Sequence, residues 1–352
     1  MKKYTALVVD DSAFMRKMIT DIINQSRLIE VISTARNGED ALEKVEKWKP
    51  DVVTMDVEMP IMDGITTLTH MMEKSPTPVV MLSSLTKIGA DKTMEAMSLG
   101  AVDFIAKPSG SISLNIKEIQ QEIISKVEQA VVSNISTFQK REKAKSVSLD
   151  TESRFLKRNR PMVNPIIAIG SSTGGPRALQ EIITNLPSDF KAPIVVVQHM
   201  PKGFTKSLAD RLNKLSNVEV KEVENGDLIE KGKVYIAEGG KQFEVIGNGA
   251  ELIAKVSKRE PVNGHQPSVD VLFGSIARLP HCHPLSIILT GMGKDGSNGI
   301  VQLKQRHPRT ITISQSKETC VVYGMPQAAE RTSLVDYVLD IQDISTILQE
   351  KV

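Results

Sequence analysis

The sequence predicts a two-unit α/β protein, each unit a mostly parallel sheet wrapped by helices. Three observations carry that expectation. Short Val- and Ile-rich runs alternate with helix-periodic segments, the pattern of strands buried on both faces. A charged, aperiodic stretch from Gln139 to Pro161 interrupts the alternation. The 352 residues exceed one ordinary core, and domains of about 100–200 residues make two the natural count.

In the first unit the strand-like runs are Ala6-Leu7-Val8-Val9, Val52-Val53-Thr54-Met55, Val79-Val80-Met81-Leu82 and Val102-Asp103-Phe104-Ile105-Ala106. Helical patterns lie between them, as at Ala41, Leu42 and Val45. Ile116, Ile119, Ile123, Val127 and Val131 share one helical face and predict a last helix ending near Thr137. Lys, Arg, Ser and Glu then dominate without period, so residues 139–162 read as a solvated linker. The second unit offers strands at Ile166-Ile167-Ala168-Ile169, Ile194-Val195-Val196-Val197, Ser286-Ile287-Ile288-Leu289 and Thr310-Ile311-Thr312-Ile313. Lys233 to Ala237 and Gln242 to Ile246 flank Glu238-Gly239-Gly240-Lys241, which predicts a β-hairpin added to the sheet.

Bulk properties narrow the function classes. A formal net charge of +2 gives no electrostatic case for nucleic acid or an anionic membrane. Cys282 and Cys320 are too few for a disulfide framework, which fits a reducing cytosol. The apolar run after Lys3 stops at Asp10, short of a signal-peptide core, and nothing approaches the roughly 18 apolar residues of a membrane span. The expectation is a soluble, cytoplasmic protein with no membrane insertion.

Asp10 and Asp11 close the first strand, Asp56 closes another before Val57-Glu58-Met59-Pro60, and Lys107 closes a later one before Pro108. In a parallel sheet those ends meet where ligands bind. Carboxylates about 4 Å apart repel by roughly 4 kcal/mol per pair at an effective dielectric near 20, so the cluster calls for a cation. An all-oxygen donor set suits Mg²⁺. Over roughly residues 1–125 this constellation resembles the flavodoxin-like receiver domain of response regulators. The resemblance implies that Asp56 accepts a phosphoryl group from a chemotaxis histidine kinase. It implies that Asp10, Asp11, Asp56 and the Glu58 carbonyl hold Mg²⁺ and that Lys107 contacts the phosphoryl oxygens. Ser83 and Phe104 match the family's switch hydroxyl and switch aromatic, where Thr and Tyr are frequent.

Gly170-Ser171-Ser172-Thr173-Gly174-Gly175-Pro176 follows a predicted strand and opens a helix near Pro176. It has the G-x-S-x-G spacing of a nucleophile elbow around Ser172, although Gly- and Ser-rich turns of this kind also cradle phosphates. The next strand ends at Gln198-His199-Met200-Pro201, which brings an imidazole to the same edge as a proton acceptor. The strand from Ser286 leads into Gly291-Met292-Gly293-Lys294-Asp295-Gly296, where Asp295 can orient the imidazole and glycine-flanked amides can face an oxyanion. The order serine, histidine, aspartate differs from that of α/β-hydrolases.

Together these motifs resemble the catalytic domain of chemotaxis protein-glutamate methylesterases, over roughly residues 163–348. The resemblance implies Ser172 as nucleophile, His199 as general base and acid, Asp295 as orienting carboxylate and the Met292 amide as oxyanion donor. It implies demethylation of glutamate γ-methyl esters on methyl-accepting chemotaxis receptors, deamidation of receptor glutamines, no cofactor for the ester chemistry, and an unphosphorylated receiver that covers the cleft.

Two rival functions are weaker. A non-enzymatic phosphate-binding module at Gly174-Gly175 lacks the P-loop lysine, and a DNA-binding regulator lacks both basic charge and a recognition-helix unit. His70, His265 and His307 read as ordinary surface or packing residues, and Trp48 as packing at a helix end. His281-Cys282-His283 cannot complete a tetrahedral metal shell without a second pair.

Overall fold

The computed structural model describes residues 3–107, 116–133, 164–248 and 251–352. The chain divides into two compact units near residue 135. The expected linker, 139–162, lies outside the described residues. Among the described residues no helix is long and apolar enough to cross a membrane.

The first unit runs β1 (Tyr4–Val9), α1 (Ala13–Ile23), β2 (Ile29–Ala35), α2 (Gly38–Trp48), β3 (Val52–Asp56), α3 (Gly64–Lys74), β4 (Val79–Ser83), α4 (Lys87–Leu99), β5 (Asp103–Ala106) and α5 (Ile116–Val131). The five strands are parallel in the order β2-β1-β3-β4-β5, the flavodoxin-like arrangement with its switch point between β1 and β3. All residues of β3 and β4 are buried, which is why they read as unbroken apolar runs. The first four helices start where a side chain caps them: Ser12 accepts from the Met15 amide, Asn37 from Asp40, Asp63 from Thr66 and Thr86 from Gly89. Helix α5 ends at Val131, and Thr137, its expected end, lies outside the described residues.

The second unit runs β6 (Pro165–Ser171), α6 (Gly175–Ile183), β7 (Ile194–Gln198), α7 (Phe204–Leu215), β8 (Glu219–Glu222), β9 (Lys233–Ile236), β10 (Gln242–Asn248) and β11 (Glu251–Ser257). It continues with α8 (Val269–Ala277), β12 (His283–Ile288), α9 (Ser297–Arg306), β13 (Ile311–Gln315), α10 (Met325–Glu330), β14 (Tyr337–Leu339) and α11 (Ile341–Lys351). Seven strands form a sheet in the order β14-β13-β12-β6-β7-β9-β8, and every pairing in it is parallel. From β6 the chain moves to β7 on one side, and from β12 to β13 on the other. The reversal opens a crevice at the carboxyl ends of β6 and β12. Helices α8 and α9 cross so closely that a Cβ at Gly299 would lie 2.5 Å from Phe273 Cβ. Phe273 is fully buried there, and its truncation to Ala should cost about 3–5 kcal/mol.

The expected hairpin is corrected. Lys233–Ile236 pairs in parallel with β7 and β8, whereas Gln242–Asn248 pairs antiparallel with Glu251–Ser257 in a separate two-stranded sheet. Gly239 packs against the loop after β7, where a Cβ would lie 2.5 Å from the Pro201 carbonyl carbon. Gly240 follows with φ +79. The turn thus sends the chain away from β9 instead of back along it.

Candidate functional site

Three loops meet at the crevice of the second unit. Strands β6 and β7 end in register, with Ser171 opposite Gln198, so Ser172 and His199 are the next residues on adjacent strands. Backbone bonds stitch this rim together: His199 N–H donates to Ser171 O at 3.0 Å, and Ser172 N–H to Thr290 O at 3.1 Å. The Gln198 side chain locks the turn, accepting from Ser171 Oγ at 2.7 Å and donating to Ser172 O at 2.9 Å. Glycine is required beside it, because a Cβ at Gly175 would sit 1.9 Å from Gln198 Oε1. A Cβ at Gly291 would sit 2.7 Å from Ser172 Cβ, so the loop after β12 runs directly against the serine. Met292, next in that loop, is half exposed.

The imidazole of His199 is nearly buried and shares a hydrogen with Asp295 Oδ2 through Nε2 at 2.9 Å. Its Nδ1 is buried with no hydrogen-bond partner among the described residues. One nitrogen is therefore committed to the carboxylate and the other is not. Asp295 is buried. Burial by itself would raise its pKa, but the bonds from His199, the Val269 amide and Asn263 outweigh it and hold the carboxyl well below the usual carboxylate range.

That carboxylate is organised by a segment the sequence reading did not single out. Val269 N–H donates to Asp295 Oδ2 at 2.7 Å; Ser268 Oγ, Asn263 Nδ2 and Asp270 N–H donate to Oδ1 at 2.8, 3.1 and 3.2 Å. Asp270 in turn accepts from Gly296 N–H at 2.9 Å and Gly299 N–H at 2.7 Å, fixing the start of α9 beside Asp295. His265, expected to be an ordinary surface or packing residue, packs on the imidazole of His199. Its ring stacks on that of His199 with centroids 3.7 Å apart and planes 7° from parallel. The only local hint was a polar Asn263-Gly264 turn ahead of a helix.

In the first unit Asp10, Asp11 and Asp56 offer carboxylate oxygens that all lie within 4.8 Å of one another. Lys107 Nζ bridges two of them, at 2.6 Å from Asp56 and 2.9 Å from Asp10. Burial pushes the Asp56 carboxyl up, Lys107 opposes this, and Asp10 adds to it; the net direction is upward. Lys107 is also raised, because Asp56 and Asp10 more than offset its burial. The two directions differ in what they favour, and the geometry explains why: one lysine faces two buried carboxylates and cannot neutralise both. Residual negative charge on oxygen donors is what a hard divalent cation answers, so the residues fit Mg²⁺. Glu58 N–H donates to Asp56 Oδ1 at 3.2 Å. The Ser83 hydroxyl is buried and donates to Gly89 O at 3.0 Å. Phe104 is buried, with Lys126 Nζ 5.1 Å from its ring centroid.

Comparison with known proteins places both units in known families. The family model described as CheB methylesterase matches residues 167–348, and that described as response regulator receiver domain matches residues 6–119. A protein-glutamate methylesterase/protein-glutamine glutaminase from Oceanobacillus iheyensis is 47% identical over 348 residues, covering 99% of each chain. Its counterpart from Bacillus subtilis is 46% identical over 345 residues, covering 96% of each. The crystal structure of the Thermotoga maritima CheB methylesterase catalytic domain is matched at 44% identity and a TM-score of 0.52, over 54% of this chain and 100% of that one. On a full-length likeness of this kind, carried by both units, the chain belongs to the CheB methylesterase family, in the form that joins a receiver domain to the catalytic domain.

Proposed function

We propose that this chain hydrolyses glutamate γ-methyl esters on methyl-accepting chemotaxis receptors and deamidates receptor glutamines, through an acyl-enzyme on Ser172. The observation that carries the mechanism is the division of labour on His199. Nε2 is held by Asp295 while Nδ1 is buried with no hydrogen-bond partner among the described residues, and His199 follows β7 as Ser172 follows the adjacent β6. Nδ1 takes the Ser172 proton as Oγ attacks the ester carbonyl carbon, and the C=O electron pair moves onto oxygen. The Met292 amide is assigned to that oxyanion. Re-forming the carbonyl breaks the bond to the methoxy group, which leaves as methanol with the proton from Nδ1. Water, deprotonated by the same nitrogen, then attacks the acyl carbon and frees glutamate and Ser172. With glutamine the leaving group is ammonia. Asp295 stabilises the imidazolium formed in each half-reaction.

Residues 1–125 act as the receiver and 163–348 as the catalytic domain in this reading. Asp10, Asp11, Asp56 and the Glu58 carbonyl would hold Mg²⁺, which supplies charge neutralisation for phosphoryl transfer from a chemotaxis histidine kinase. Asp56 Oδ is the nucleophile, and Lys107, which bonds Asp56, contacts the transferred group. Ser83 and Phe104 read the phosphorylation, which raises esterase activity. Incubation with methyl-labelled receptor cytoplasmic domains tests the chemistry: Ser172→Ala should lower methanol release by about 10³-fold or more. Near-wild-type release from that variant would overturn the assignment.

A further inference from the structure

We propose that His265 is a positioning residue for this reaction: its ring, lying flat on that of His199, fixes the plane of the catalytic base and so keeps Nδ1 correctly aimed while Asp295 holds Nε2. The inference rests on the esterase reading above and deepens it.

A single hydrogen bond does not fix an imidazole. The outer side-chain torsion of histidine is broad, and the ring can rock about its 2.9 Å bond to Asp295 while keeping that bond. A second plate removes this freedom. With centroids 3.7 Å apart and planes 7° from parallel, tilting His199 toward His265 meets van der Waals overlap at once. The plate is itself held. His265 N–H donates to Val262 O at 2.9 Å, and its carbonyl accepts from Val262 N–H and Gln242 Nε2, each at 3.0 Å. The same segment supplies Asn263 and Ser268 to Asp295. One stretch of chain therefore sets both the carboxylate and the ring plane of the base.

The charge state of His265 suits a plate better than an acid. Burial first and the neighbouring His199 second bring it down to about 4, with Asp295 opposing. At neutral pH the ring is uncharged, and its face can lie against the imidazolium that His199 becomes without like-charge repulsion.

The full-length chain and methyl-labelled receptor cytoplasmic domains provide the test. His265→Leu, which keeps bulk but has no flat face, should lose about 10- to 100-fold in kcat with KM changed less than about twofold, the size of effect expected from slight misplacement of a catalytic group. His265→Phe should recover to within about threefold of wild type, because a flat ring is restored. A second readout does not need turnover: the ring-current shift on the His199 ring protons should persist in His265→Phe and vanish in His265→Leu. A His265→Leu enzyme with wild-type kcat, or a His265→Phe enzyme as impaired as His265→Leu, overturns the positioning role. Ser172→Ala run in parallel separates the two claims. If it is inactive while His265→Leu is fully active, only the positioning role fails; if it stays active, the esterase reading fails and takes this inference with it.

Discussion

Asp295 Oδ2 lies 2.9 Å from His199 Nε2, and the other imidazole nitrogen of His199 has no hydrogen-bond partner among the described residues. The pair sets the tautomer: Nε2 carries hydrogen and Nδ1 carries the lone pair. Asp295→Asn keeps the shape and removes the acceptor, so the imidazole can turn its lone pair to the amide NH₂ and present the wrong nitrogen outward. The expected loss is about 10³- to 10⁴-fold in kcat. Stability should also fall by roughly 1–3 kcal/mol, because the Val269, Asp270 and Ser268 donors lose charge-assisted bonds. Methanol release and thermal melting of the same sample check both; activity within about tenfold of wild type would contradict the tautomer argument.

Stability against pH gives a second prediction. His265 titrates near 6.5 when unfolded and at about 4 in the fold, so between those values the unfolded chain binds more protons. Its contribution is complete above pH 6.5 and declines as pH falls toward 4. At full weight the gap is worth about 3 kcal/mol, and partial solvent access reduces the expectation to roughly 1–2 kcal/mol. Asp295 loses its own contribution only below the ordinary carboxylate range, outside this window. Denaturant unfolding of the catalytic unit at pH 7.5 and 4.5 should therefore show a smaller drop in His265→Phe than in wild type. Equal drops would exclude His265 as the group responsible.

How much of this was legible in the sequence follows from which partners are close along the chain. Asp10, Asp56, Lys107, Ser172 and His199 end apolar strands, and a parallel sheet buried on both faces both marks its strands and gathers their ends. The Lys233–Ile236 strand was legible, but its partner was not. A glycine turn before Gln242 fits a hairpin locally, but the strand pairs in parallel with β7 and β8, which are distant in sequence from that turn. Asn263, His265, Ser268 and Asp270 were missed for the same reason. Asn263 and Ser268 meet Asp295 across separations of 32 and 27 residues, and no local period signals such contacts.

The close approach at Gly291 predicts a sensitive position. In Gly291→Ala the new methyl would meet Met325 Sδ at 2.5 Å, Ser172 Cβ at 2.7 Å and Ser172 N at 3.0 Å. The thioether can move; the serine cannot easily, since its amide is bonded to Thr290 O. Strain should cost about 1–3 kcal/mol, and displacement of Ser172, the proposed nucleophile, about 10- to 100-fold in kcat. Calorimetry with kcat measurement tests this, and an unchanged kcat would show that the loop yields instead of Ser172.

The receiver cluster predicts a metal dependence that can be read without turnover. Asp56 is buried with its pKa raised, so its charged form is uncomfortable in the fold, and Lys107 is shared with Asp10. A divalent cation at these oxygens relieves that repulsion and binds the folded state. At about ten times its dissociation constant, Mg²⁺ should stabilise the receiver unit by roughly 1.4 kcal/mol, visible as a higher urea midpoint. Asp56→Asn removes one donor charge and should lose most of the Mg²⁺ increment. Without Mg²⁺ that variant should be as stable as wild type or more so, since a neutral side chain replaces a disfavoured carboxylate. Chelation should abolish labelling of the wild type by acetyl phosphate while leaving methanol release by the unphosphorylated enzyme unchanged. A urea midpoint that ignores Mg²⁺, or one that responds equally in Asp56→Asn, would remove Asp56 from the cation site.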